Sequence, residues 1–371
     1  MHTERRKTRT CKIGRSTNAG TNGVTSCVKI GYGHPVAIQT MTSEKTHDLG
    51  AMIKQILTVK DSGCDLIRIS IPDEASALAL PKIRAALEAE GINMPLVADI
   101  HFSPEMAFLA IENGADKVRI NPGNFKDHAR LKDLIALAKK TGTAMRIGVN
   151  AGSLERDLLE KHGHPTPEAL AESALRWVKF VEDEGFENFC ASIKSENALV
   201  NTEANRIFAS QSDVPLHIGV THAGTLLPGT VKNTIGISTL LQQGIGDTVR
   251  VSLTAPIAEE VQVCKYILKA LGLYAHGTDI ISCPTCARCE IDLPALVAEV
   301  EKAVAHIKKP IRISVLGCAV NGPGEARESD FGIAGGKGCG ALYYRGEVYK
   351  ARVSEDQLVS EFVKLIEEKA Q

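Results

Sequence analysis

The sequence lacks a net charge that would direct it to a large charged partner. Its 371 residues include 43 Lys and Arg against 44 Asp and Glu, which gives a formal net charge of −1. The chain as a whole therefore has no field that attracts nucleic acid or an anionic membrane, and we expect neither as a partner. Any anion binding has to come from local clustering of cations.

Long apolar runs and a secretory signal are missing as well. No run of apolar residues is long enough to span a bilayer. The first ten residues are basic, but polar and glycine-containing sequence follows them in place of the apolar core of a secretory signal. We therefore expect a cytoplasmic protein.

The ten cysteines do not have the arrangement of a disulfide framework. Cys64, Cys190 and Cys264 stand alone in apolar or helical contexts, which is typical of buried reduced thiols. The cysteine pattern thus also favours a reducing compartment.

Short β-branched runs recur eight times in the first 252 residues, with helical patterns between them. Ser103-Pro104 and Thr166-Pro167 each combine an N-cap residue with proline at the first helical position. Eight strand–helix units predict a closed parallel barrel of the TIM type. An open doubly wound sheet has the same alternation, but no Gly-x-Gly-x-x-Gly follows an early strand to support a dinucleotide site. The predicted strands span residues 36–41, 66–70, 96–100, 117–121, 145–149, 190–194, 216–220 and 248–252.

The pattern changes after Gly272. Cysteines cluster, a helix is predicted over residues 293–307, a strand over 311–316, further short strands near Leu342 and Val348, and a final amphipathic helix. The sequence thus predicts an α/β protein in which a TIM-type (β/α)8 barrel precedes a smaller α/β domain. We divide the chain into a barrel domain, residues 1–275, and a C-terminal domain, residues 276–371.

Cations recur at the C-terminal ends of the predicted barrel strands, which is the active-site face of a TIM barrel. Four strands carry an Arg flanked by aliphatic residues, and a fifth ends in Lys. Guanidinium groups bind phosphate oxygens two at a time, so this rim predicts an anion site, and a diphosphate fits the number of cations better than a monophosphate. The predicted substrate-binding residues, including three neutral donors, are Arg68, Arg119, Asn121, Arg146, Asn150, Lys194, Arg250 and Ser252.

Each Arg has an alternative explanation, an ion pair with an acidic neighbour in an ordinary charged rim. The candidates for such pairs are Asp65, Asp99, Asp116 and Asp247. Asp99 and His101 end the third strand, where they act as acid or base, orient an Arg, or in the case of His101 serve only as a structural residue. The polar stretch 150–165 is either a lid over the barrel mouth or an ordinary long loop.

Cys283 and Cys286 form a Cys-Pro-Thr-Cys motif, and Cys318 begins a segment that ends at Glu325. The two-residue gap lets both sulfurs face one centre, and the glycines after Cys318 free backbone amides to face anionic sulfur, which predicts an iron–sulfur site. With Glu325 as fourth ligand, one iron would carry an oxygen that exchanges more readily than sulfur. Spacing alone does not select Glu325, because Cys289 completes a C-x2-C-x2-C run. Four cysteines also suit structural zinc.

Several motifs occur in the order found in one enzyme family. They include Arg-Arg-Lys-Thr-Arg, Ala-Asp-Ile-His-Phe, Arg-Ile-Asn-Pro-Gly-Asn, Arg-Ile-Gly-Val-Asn-Ala-Gly-Ser, Gly-Ile-Gly-Asp-Thr-Val-Arg-Val-Ser, Cys-Pro-Thr-Cys and Asn-Gly-Pro-Gly-Glu-Ala. Over nearly its whole length the chain resembles the 4-hydroxy-3-methylbut-2-enyl diphosphate synthases in their compact bacterial form.

The resemblance implies an iron–sulfur oxidoreductase of the non-mevalonate isoprenoid pathway. The reaction would be the reductive ring opening and dehydration of 2-C-methyl-D-erythritol 2,4-cyclodiphosphate to 4-hydroxy-3-methylbut-2-enyl diphosphate. The resemblance also implies a 4Fe-4S cluster held by Cys283, Cys286, Cys318 and Glu325, with Cys289 as a bystander, and a head-to-tail homodimer in which the cluster domain of one subunit closes the barrel mouth of the other. Since no flavin or nicotinamide motif is visible, we expect flavodoxin or ferredoxin to supply the two electrons.

One position departs from the family pattern. The family usually has Thr-Glu-Ala-Gly after the seventh strand, whereas this chain has His222 in place of the Glu. An imidazole there still donates and accepts protons but differs in charge. The catalytic candidates are Glu325, His222, Asp99 and His101. Two other functions fit the residues alone: a pterin-type barrel enzyme with a structural zinc tail, and an iron–sulfur redox sensor.

Overall fold

The computed structural model describes residues 4–14, 27–101, 103–125, 127–318, 324 and 327–370. The chain divides into two compact units, one that ends at Tyr274 and one that starts at Ala275. Each unit has its own hydrophobic core. No helix in these residues has both the length and the apolar character needed to cross a membrane.

The first unit contains a two-stranded hairpin and an eight-stranded parallel barrel. The hairpin strands are β1 Cys11–Ile13 and β2 Val28–Ile30. The barrel strands are β3 Ala37–Met41, β4 Leu66–Ser70, β5 Leu96–Asp99, β6 Lys117–Ile120, β7 Ala144–Asn150, β8 Phe189–Lys194, β9 His217–Ile218 and β10 Thr248–Val249.

The barrel strands pair in chain order from β3 to β8, and β10 pairs with both β9 and β3. A parallel bridge between Ala191 in β8 and Leu216, just before β9, closes the ring. The predicted TIM-type barrel is therefore confirmed, and all eight strands lie where the sequence pattern predicts them. The last two are shorter than predicted, since regular pairing there covers two residues each.

Nine helices of this unit surround the barrel or connect its strands in the described residues. They are α1 Leu49–Leu57, α2 Glu74–Ala89, α3 Pro104–Glu112, α4 His128–Thr141, α5 Arg156–His162, α6 Pro167–Asp183, α7 Ala198–Ala209, α8 Leu226–Gln242 and α9 Ile257–Ala270. The two predicted proline starts are confirmed, since α3 and α6 each begin at that proline. Thr166 caps α6, where its side chain accepts a hydrogen bond from the Ala169 amide at 3.1 Å.

Alternation along each strand separates an apolar outer face from a polar lumen. In β4, Ile67 and Ile69 belong to the core shared with the helices. Leu66 instead packs with the N-terminal hairpin, and Arg68 lines a cavity at the other end of the barrel. Because successive side chains of a strand point to opposite faces, one Arg between two isoleucines is directed into the lumen. The same alternation places the Arg residues of β6 and β7.

The N-terminal hairpin seals the floor of the barrel, meaning the end where the strands begin. Cys11 and Ile13 of β1 pack with Ile30 of β2 and with the first inward residues of several barrel strands. Arg5 forms an ion pair with Asp247 at 2.6 Å. The sequence pattern does not predict this hairpin, because its strands are three residues long and become recognisable only against the barrel.

The second unit contains a five-stranded sheet and two helices in the part of the chain that is described. The strands, in sheet order, are β11 Thr278–Ser282, β12 Ile311–Leu316, β13 Phe331–Gly336, β14 Cys339–Tyr344 and β15 Glu347–Ser354. The first three strands are parallel and the last three antiparallel. Helices α10 Leu293–Val304 and α11 Leu358–Lys369 pack on the sheet.

The glycine-rich composition near residue 335 hides β13 from sequence reasoning. A Cβ atom on Gly335 would lie 2.2 Å from Cδ1 of Ile291, and one on Gly340 would lie 2.8 Å from a methyl group of Leu358. These glycines therefore allow close packing on the sheet. Their role here is steric, whereas glycine in a sequence is more readily interpreted as a turn signal.

Candidate active site

The C-terminal ends of the barrel strands surround a cavity of about 210 Å³. Seven of the eight predicted substrate-binding residues line it, and both predicted catalytic histidines do so too. The lining residues are Arg68, His101, Arg119, Arg146, Asn150, Ser192, Lys194, Thr221, His222, Arg250 and Ser252. The strands thus bring side chains that are almost 200 residues apart in the sequence to one place.

Strand register sets the height of these side chains. Arg119 of β6 is directly paired with Arg146 of β7, and Asn150 at the end of β7 is paired with Lys194 at the end of β8. Asp99 of β5 is paired with Arg119 on its other side. The parallel register therefore gathers cations from neighbouring strands at two adjacent levels of the lumen.

Asp99 connects three of the groups at the mouth. Its Oδ1 accepts hydrogen bonds from Arg68 Nη2 at 2.6 Å and from Arg119 Nη1 at 3.4 Å. Its Oδ2 lies 2.8 Å from Nε2 of His101. Asp99 is completely buried. Burial opposes its ionisation, but Arg68, His101 and Arg119 outweigh that effect and hold the pKa of Asp99 well below its usual range.

A carboxylate with so low a pKa is a poor general base near neutral pH. The geometry of Asp99 favours the other predicted role, in which it orients Arg68 and Arg119 beneath the cavity. Burial lowers the pKa of Arg119 to about 10 although Asp99 raises it. The guanidinium group of Arg119 therefore remains charged at neutral pH.

Arg250 is held by a carboxylate that the sequence analysis does not single out. Glu260 in α9 is buried, and its Oε1 accepts from Arg250 Nη2 at 3.1 Å. Oε2 of Glu260 also accepts from the Thr40 hydroxyl at 2.8 Å. Asn150 holds Arg119 in a similar way. When its side-chain amide is oriented so that both its nitrogen and its oxygen are hydrogen-bonded, the oxygen accepts from Arg119 Nη2 at 3.0 Å.

Arg146 lies deepest among the cavity cations and is only 1% exposed. Its Nε and Nη1 atoms have no hydrogen-bond partner in the described residues. Burial, followed by repulsion from Arg68 and Arg119, lowers its pKa well below the usual value. Arg146 is thus a buried donor whose N–H groups remain available for a ligand.

Lys194 is also buried at the cavity wall. Its Nζ lies 3.2 Å from Nε2 of His217, and Nδ1 of His217 lies 3.2 Å from the Thr248 hydroxyl. Burial, together with four guanidinium groups, lowers the pKa of Lys194 well below its usual value. The pKa of His217 is lowered in the same way, so its imidazole is neutral.

Ion pairing explains only part of the cationic rim. Asp99 pairs with two of the arginines, as the alternative predicts. Asp116 pairs with Arg84 at 2.5 Å and Asp247 pairs with Arg5, both at the floor end of the barrel. Asp65 accepts a hydrogen bond from the backbone amide of Ile38 at 2.7 Å. The alternative is therefore wrong for Asp116 and Asp247, which pair with arginines that do not belong to the rim. All three carboxylates directly precede barrel strands, whereas the rim arginines lie near the strand ends.

Three other predicted features lie beside the cavity or partly in it. Asn121 is buried just outside the lining and donates to the Ser153 hydroxyl at 2.6 Å. His222 is exposed and has a backbone φ of +51°, a left-handed conformation that His adopts more readily than most residues. The stretch 150–165 contains α5 and is anchored to α6, since Glu155 accepts from the Ser173 hydroxyl at 2.7 Å and from Trp177.

Sequence reasoning missed Ser192, Thr221 and Glu260 at the site. Ser192 had a usable signal, because it stands two residues before Lys194 and so points to the same face of β8. Thr221 and Glu260 had none, since one follows a short strand and the other lies on a helix.

Two of the predicted cluster cysteines, Cys283 and Cys318, lie where adjacent parallel strands of the second sheet end. Cys283 follows β11 directly, and Cys318 follows β12 after Gly317. Because these strands are parallel neighbours with Ser282 opposite Val315, both thiols emerge at the same sheet edge. Cys318 is buried, Cys283 half-buried and Cys286 exposed. All ten cysteines of the chain are free thiols.

Cys289 is held in the packing beside this edge. Its thiol donates to the carbonyl of Ile291 at 3.3 Å, and a Cβ atom on Gly317 would lie 2.3 Å from its sulfur. Glu325, the predicted fourth ligand, lies outside the described residues. Among the residues that are described, no three His, Cys, Asp or Glu side chains are arranged to hold a metal ion.

The closed barrel with a cationic lumen, followed by a thiol-bearing α/β unit, defines the class of two-domain TIM-barrel proteins. The chain belongs to the GcpE family: the family's TIM-barrel domain matches residues 22–265 and its C-terminal domain matches residues 279–368. This confirms the family resemblance carried by the motifs.

Curated relatives span almost the whole chain. A protein of Caldanaerobacter subterraneus is 49% identical over 91% of this chain and 94% of its own. A protein of Aquifex aeolicus is 46% identical over 98% and 97%, and one of Sulfurihydrogenibium is 46% identical over 98% of each chain. All three are named 4-hydroxy-3-methylbut-2-en-1-yl diphosphate synthase (flavodoxin). A solved dihydropteroate synthase of Coxiella burnetii is 10% identical, with a TM-score of 0.46 over 71% of this chain and 99% of its own, a likeness too weak to support a conclusion.

Proposed function

We propose that the chain catalyses the reductive ring opening and dehydration of 2-C-methyl-D-erythritol 2,4-cyclodiphosphate to 4-hydroxy-3-methylbut-2-enyl diphosphate, in the non-mevalonate isoprenoid pathway. The relatives at 46–49% identity carry the name of this synthase. The observation that carries the proposal is the surplus of positive charge in the barrel cavity. Within the described residues, four arginines and Lys194 line it, and two buried carboxylates, Asp99 and Glu260, pair with three of the arginines.

The cavity residues bind and orient the diphosphate. Asp99 fixes the guanidinium groups of Arg68 and Arg119, and Arg146 adds N–H groups that no described protein atom uses. Ser252 and Asn150 add neutral donors. As the bond between ring carbon and phosphate oxygen breaks, negative charge grows on that oxygen, and fixed cations stabilise it without reorganising.

The overall reduction takes up two electrons and two protons and releases one oxygen as water. His222 and His101 are the two imidazoles among the residues that line the cavity, and we assign proton transfer to the substrate to them. His101 is oriented through its Nε2 by Asp99, and its side chain is 45% exposed. His222 replaces the carboxylate that is usual in the family, so its imidazole holds the proton at a ring nitrogen.

The cysteines at the edge of the second sheet fit a 4Fe-4S cluster, because free thiols at the ends of two adjacent parallel strands can serve one centre. Cys283, Cys286 and Cys318 would hold it together with Glu325, and residues 276–371 would form the cluster domain beside a substrate-binding domain of residues 1–275. When bound, such a cluster supplies single electrons and a Lewis-acidic iron. Flavodoxin, named with the relatives, is the electron donor we propose, in the cytoplasm, with ferredoxin as the substitute.

The functional assembly we propose is a head-to-tail homodimer in which the cluster domain of one subunit closes the barrel mouth of the other. An apolar stripe on α8 supports a second copy as partner. Leu227, Val231 and Ile235 recur every four residues and are 77%, 52% and 48% exposed, and Leu199 of α7 is exposed as well. An apolar stripe of this kind on an outer helix of a barrel is typical of a protein interface.

The test is oxygen-free purification followed by an activity assay. We expect a brown protein with iron and sulfide that converts the cyclic diphosphate when reduced flavodoxin is supplied. A colourless protein containing zinc would contradict the proposal and favour the pterin-type enzyme. A brown protein without affinity for the cyclic diphosphate would favour the redox sensor.

Matched cysteine variants test the ligand set. Cys283→Ser should lose the iron, whereas Cys289→Ser should retain both colour and activity, since Cys289 is engaged in packing. Glu325→Cys should keep the colour and lose turnover, because a fourth thiolate exchanges less readily than a carboxylate. Full activity of Glu325→Cys would remove Glu325 from the mechanism.

A further inference from the structure

Lys194 occupies an unusual electrostatic position at the cavity wall. Its Nζ is buried at the end of β8, and the neutral imidazole of His217 is its hydrogen-bond partner at 3.2 Å. It makes no salt bridge with any described carboxylate. Gly219, which directly follows β9, leaves room for the amine, since a Cβ atom there would lie 3.1 Å from Nζ.

Cations from every adjacent part of the lumen face this amine. The groups are Arg68 of β4, Arg119 of β6, Arg146 of β7 and Arg250 after β10, with Lys117 of β6 deeper beside His217. The carboxylates nearest to them, Asp99 and Glu260, already pair with Arg68, Arg119 and Arg250. A positive charge on Lys194 in this lumen is therefore opposed both by burial and by repulsion.

A diphosphate would reverse this balance, because its two negative charges enter the same cavity. The hydrogen-bond chain from Lys194 through His217 to Thr248 can serve the amine in both charge states. A charged amine donates to Nε2 while Nδ1–H donates to the Thr248 hydroxyl. A neutral amine accepts from Nε2–H while Nδ1 accepts from that hydroxyl.

We propose that Lys194 takes up one proton from solvent when a diphosphate binds in the cavity, and that His217 is the positioning residue that holds its amine there. The inference rests on the proposed function and extends it to the linkage between substrate binding and pH. The step is Lys–NH2 plus H⁺ giving Lys–NH3⁺, with no other bond made or broken. Linkage then requires the affinity to fall by as much as tenfold for each pH unit in the range where uptake occurs.

Isothermal titration calorimetry of the complete protein with the cyclic diphosphate tests this. Titrations in buffers of different ionisation enthalpy give the number of protons taken up. The ligand adds none of its own, because each of its phosphorus atoms bears one strongly acidic hydroxyl group. At pH values below the usual pKa of a lysine, about 10.4, we expect uptake that approaches one proton and an affinity that declines as the pH rises.

Three variants test whether Lys194 is the group that takes up the proton. Lys194→Arg keeps the charge without titrating, so it should bind with no uptake and with a flat pH profile. Lys117→Met, the matched control at the other buried lysine of the lumen, should retain the uptake. His217→Leu removes the partner of the charged amine and should shift the decline in affinity to lower pH, and His217→Gln should restore it.

The outcomes separate the inference from the proposed function. Normal binding by the unmodified protein without proton uptake would overturn the role of Lys194 and leave the proposed function standing. Absence of any binding would overturn the proposed function itself. Uptake that persists in Lys194→Arg, or that disappears in Lys117→Met, would place the proton elsewhere and reject the assignment. An unchanged pH profile in His217→Leu would reject His217 as the positioning residue.

Discussion

The floor and the mouth of the barrel both bury charged side chains, but they balance them differently. At the floor, Arg84 pairs with Asp116 at 2.5 Å and Arg5 pairs with Asp247 at 2.6 Å. At the mouth, within the described part of the chain, four arginines and Lys194 line the cavity beside two carboxylates. Balanced pairs join elements of the fold, whereas a surplus of one sign stabilises nothing until a ligand of the other sign arrives.

The surplus also has a cost for the empty protein. Burying a cation without a partner opposes folding, and the lowered pKa values of Arg146 and Lys194 express that cost. Sites that bind charged ligands commonly reduce stability in this way. The comparison therefore predicts that removing an unpaired cation at the mouth stabilises the fold, whereas removing a paired cation at the floor destabilises it.

The largest effect should come from Asp99→Asn. The change leaves Arg68 and Arg119 without their shared buried carboxylate, and removing one member of a buried ion pair costs about 3–5 kcal/mol of unfolding free energy. Chemical denaturation measures it. Glu361→Gln, which breaks an exposed pair with Lys350, should cost less than about 1 kcal/mol. Similar losses in both variants would show that the mouth is not electrostatically special.

Arg146→Met should separate stability from binding. Its N–H groups are free for the ligand, so affinity for the cyclic diphosphate should drop by about 2–3 kcal/mol, while the free energy of unfolding rises by about 1 kcal/mol. Calorimetric titration and denaturation measure the two. Arg84→Met at the floor is the matched control: it should lose stability and keep the affinity. If the unfolding free energy changed in the same direction in Arg146→Met and Arg84→Met, the distinction between the two ends of the barrel would be contradicted.

Acid should remove the contribution of Asp99 progressively. Its folded-state pKa lies below the unfolded value, so its stabilisation is present above the unfolded pKa, about 3.9, and is lost as the pH falls toward the folded pKa. The difference in unfolding free energy between the unmodified protein and Asp99→Asn should narrow below about pH 4, by at most about 1.4 kcal/mol for each pH unit. Denaturation curves of both proteins at several acidic pH values measure this difference in unfolding free energy. A difference that stays constant below about pH 4 would contradict the prediction.

Ser252→Ala should have the smallest effect. It removes one neutral hydroxyl from the cavity lining, and a single neutral hydrogen bond contributes about 0.5–1.5 kcal/mol. Affinity for the cyclic diphosphate should fall between about twofold and tenfold, with the unfolding free energy unchanged. A loss as large as that of Arg146→Met would mean that neutral donors, and not the cationic surplus, dominate binding.

Much of the site was predictable because its signal is local. An Arg between two aliphatic residues near a strand end, repeated on four strands, indicates inward-facing cations as soon as the strands are known to be parallel. The ion-pair partners were not predictable. Asp65, Asp116 and Asp247 resemble Asp99 in the sequence, and only the direction of the strands separates a carboxylate at the floor from one at the mouth.

The features that sequence reasoning missed depend on contacts between distant segments. The three-residue strands β1 and β2 exist because the barrel floor offers them an apolar surface. Glu260 reaches Arg250 from a helix, and His217 reaches Lys194 from the next strand. None of these pairs has a fixed spacing that a pattern could detect.

The sequence by itself determined the barrel, the smaller second domain, the family and the set of cations at the strand ends, because hydrophobic periodicity and motif spacing are properties of short segments. Only the tertiary structure decided which charges are balanced and which remain in surplus. That difference arises because burial and distance set the energy of a charge, and both are fixed when strands that are far apart in the chain meet around one lumen.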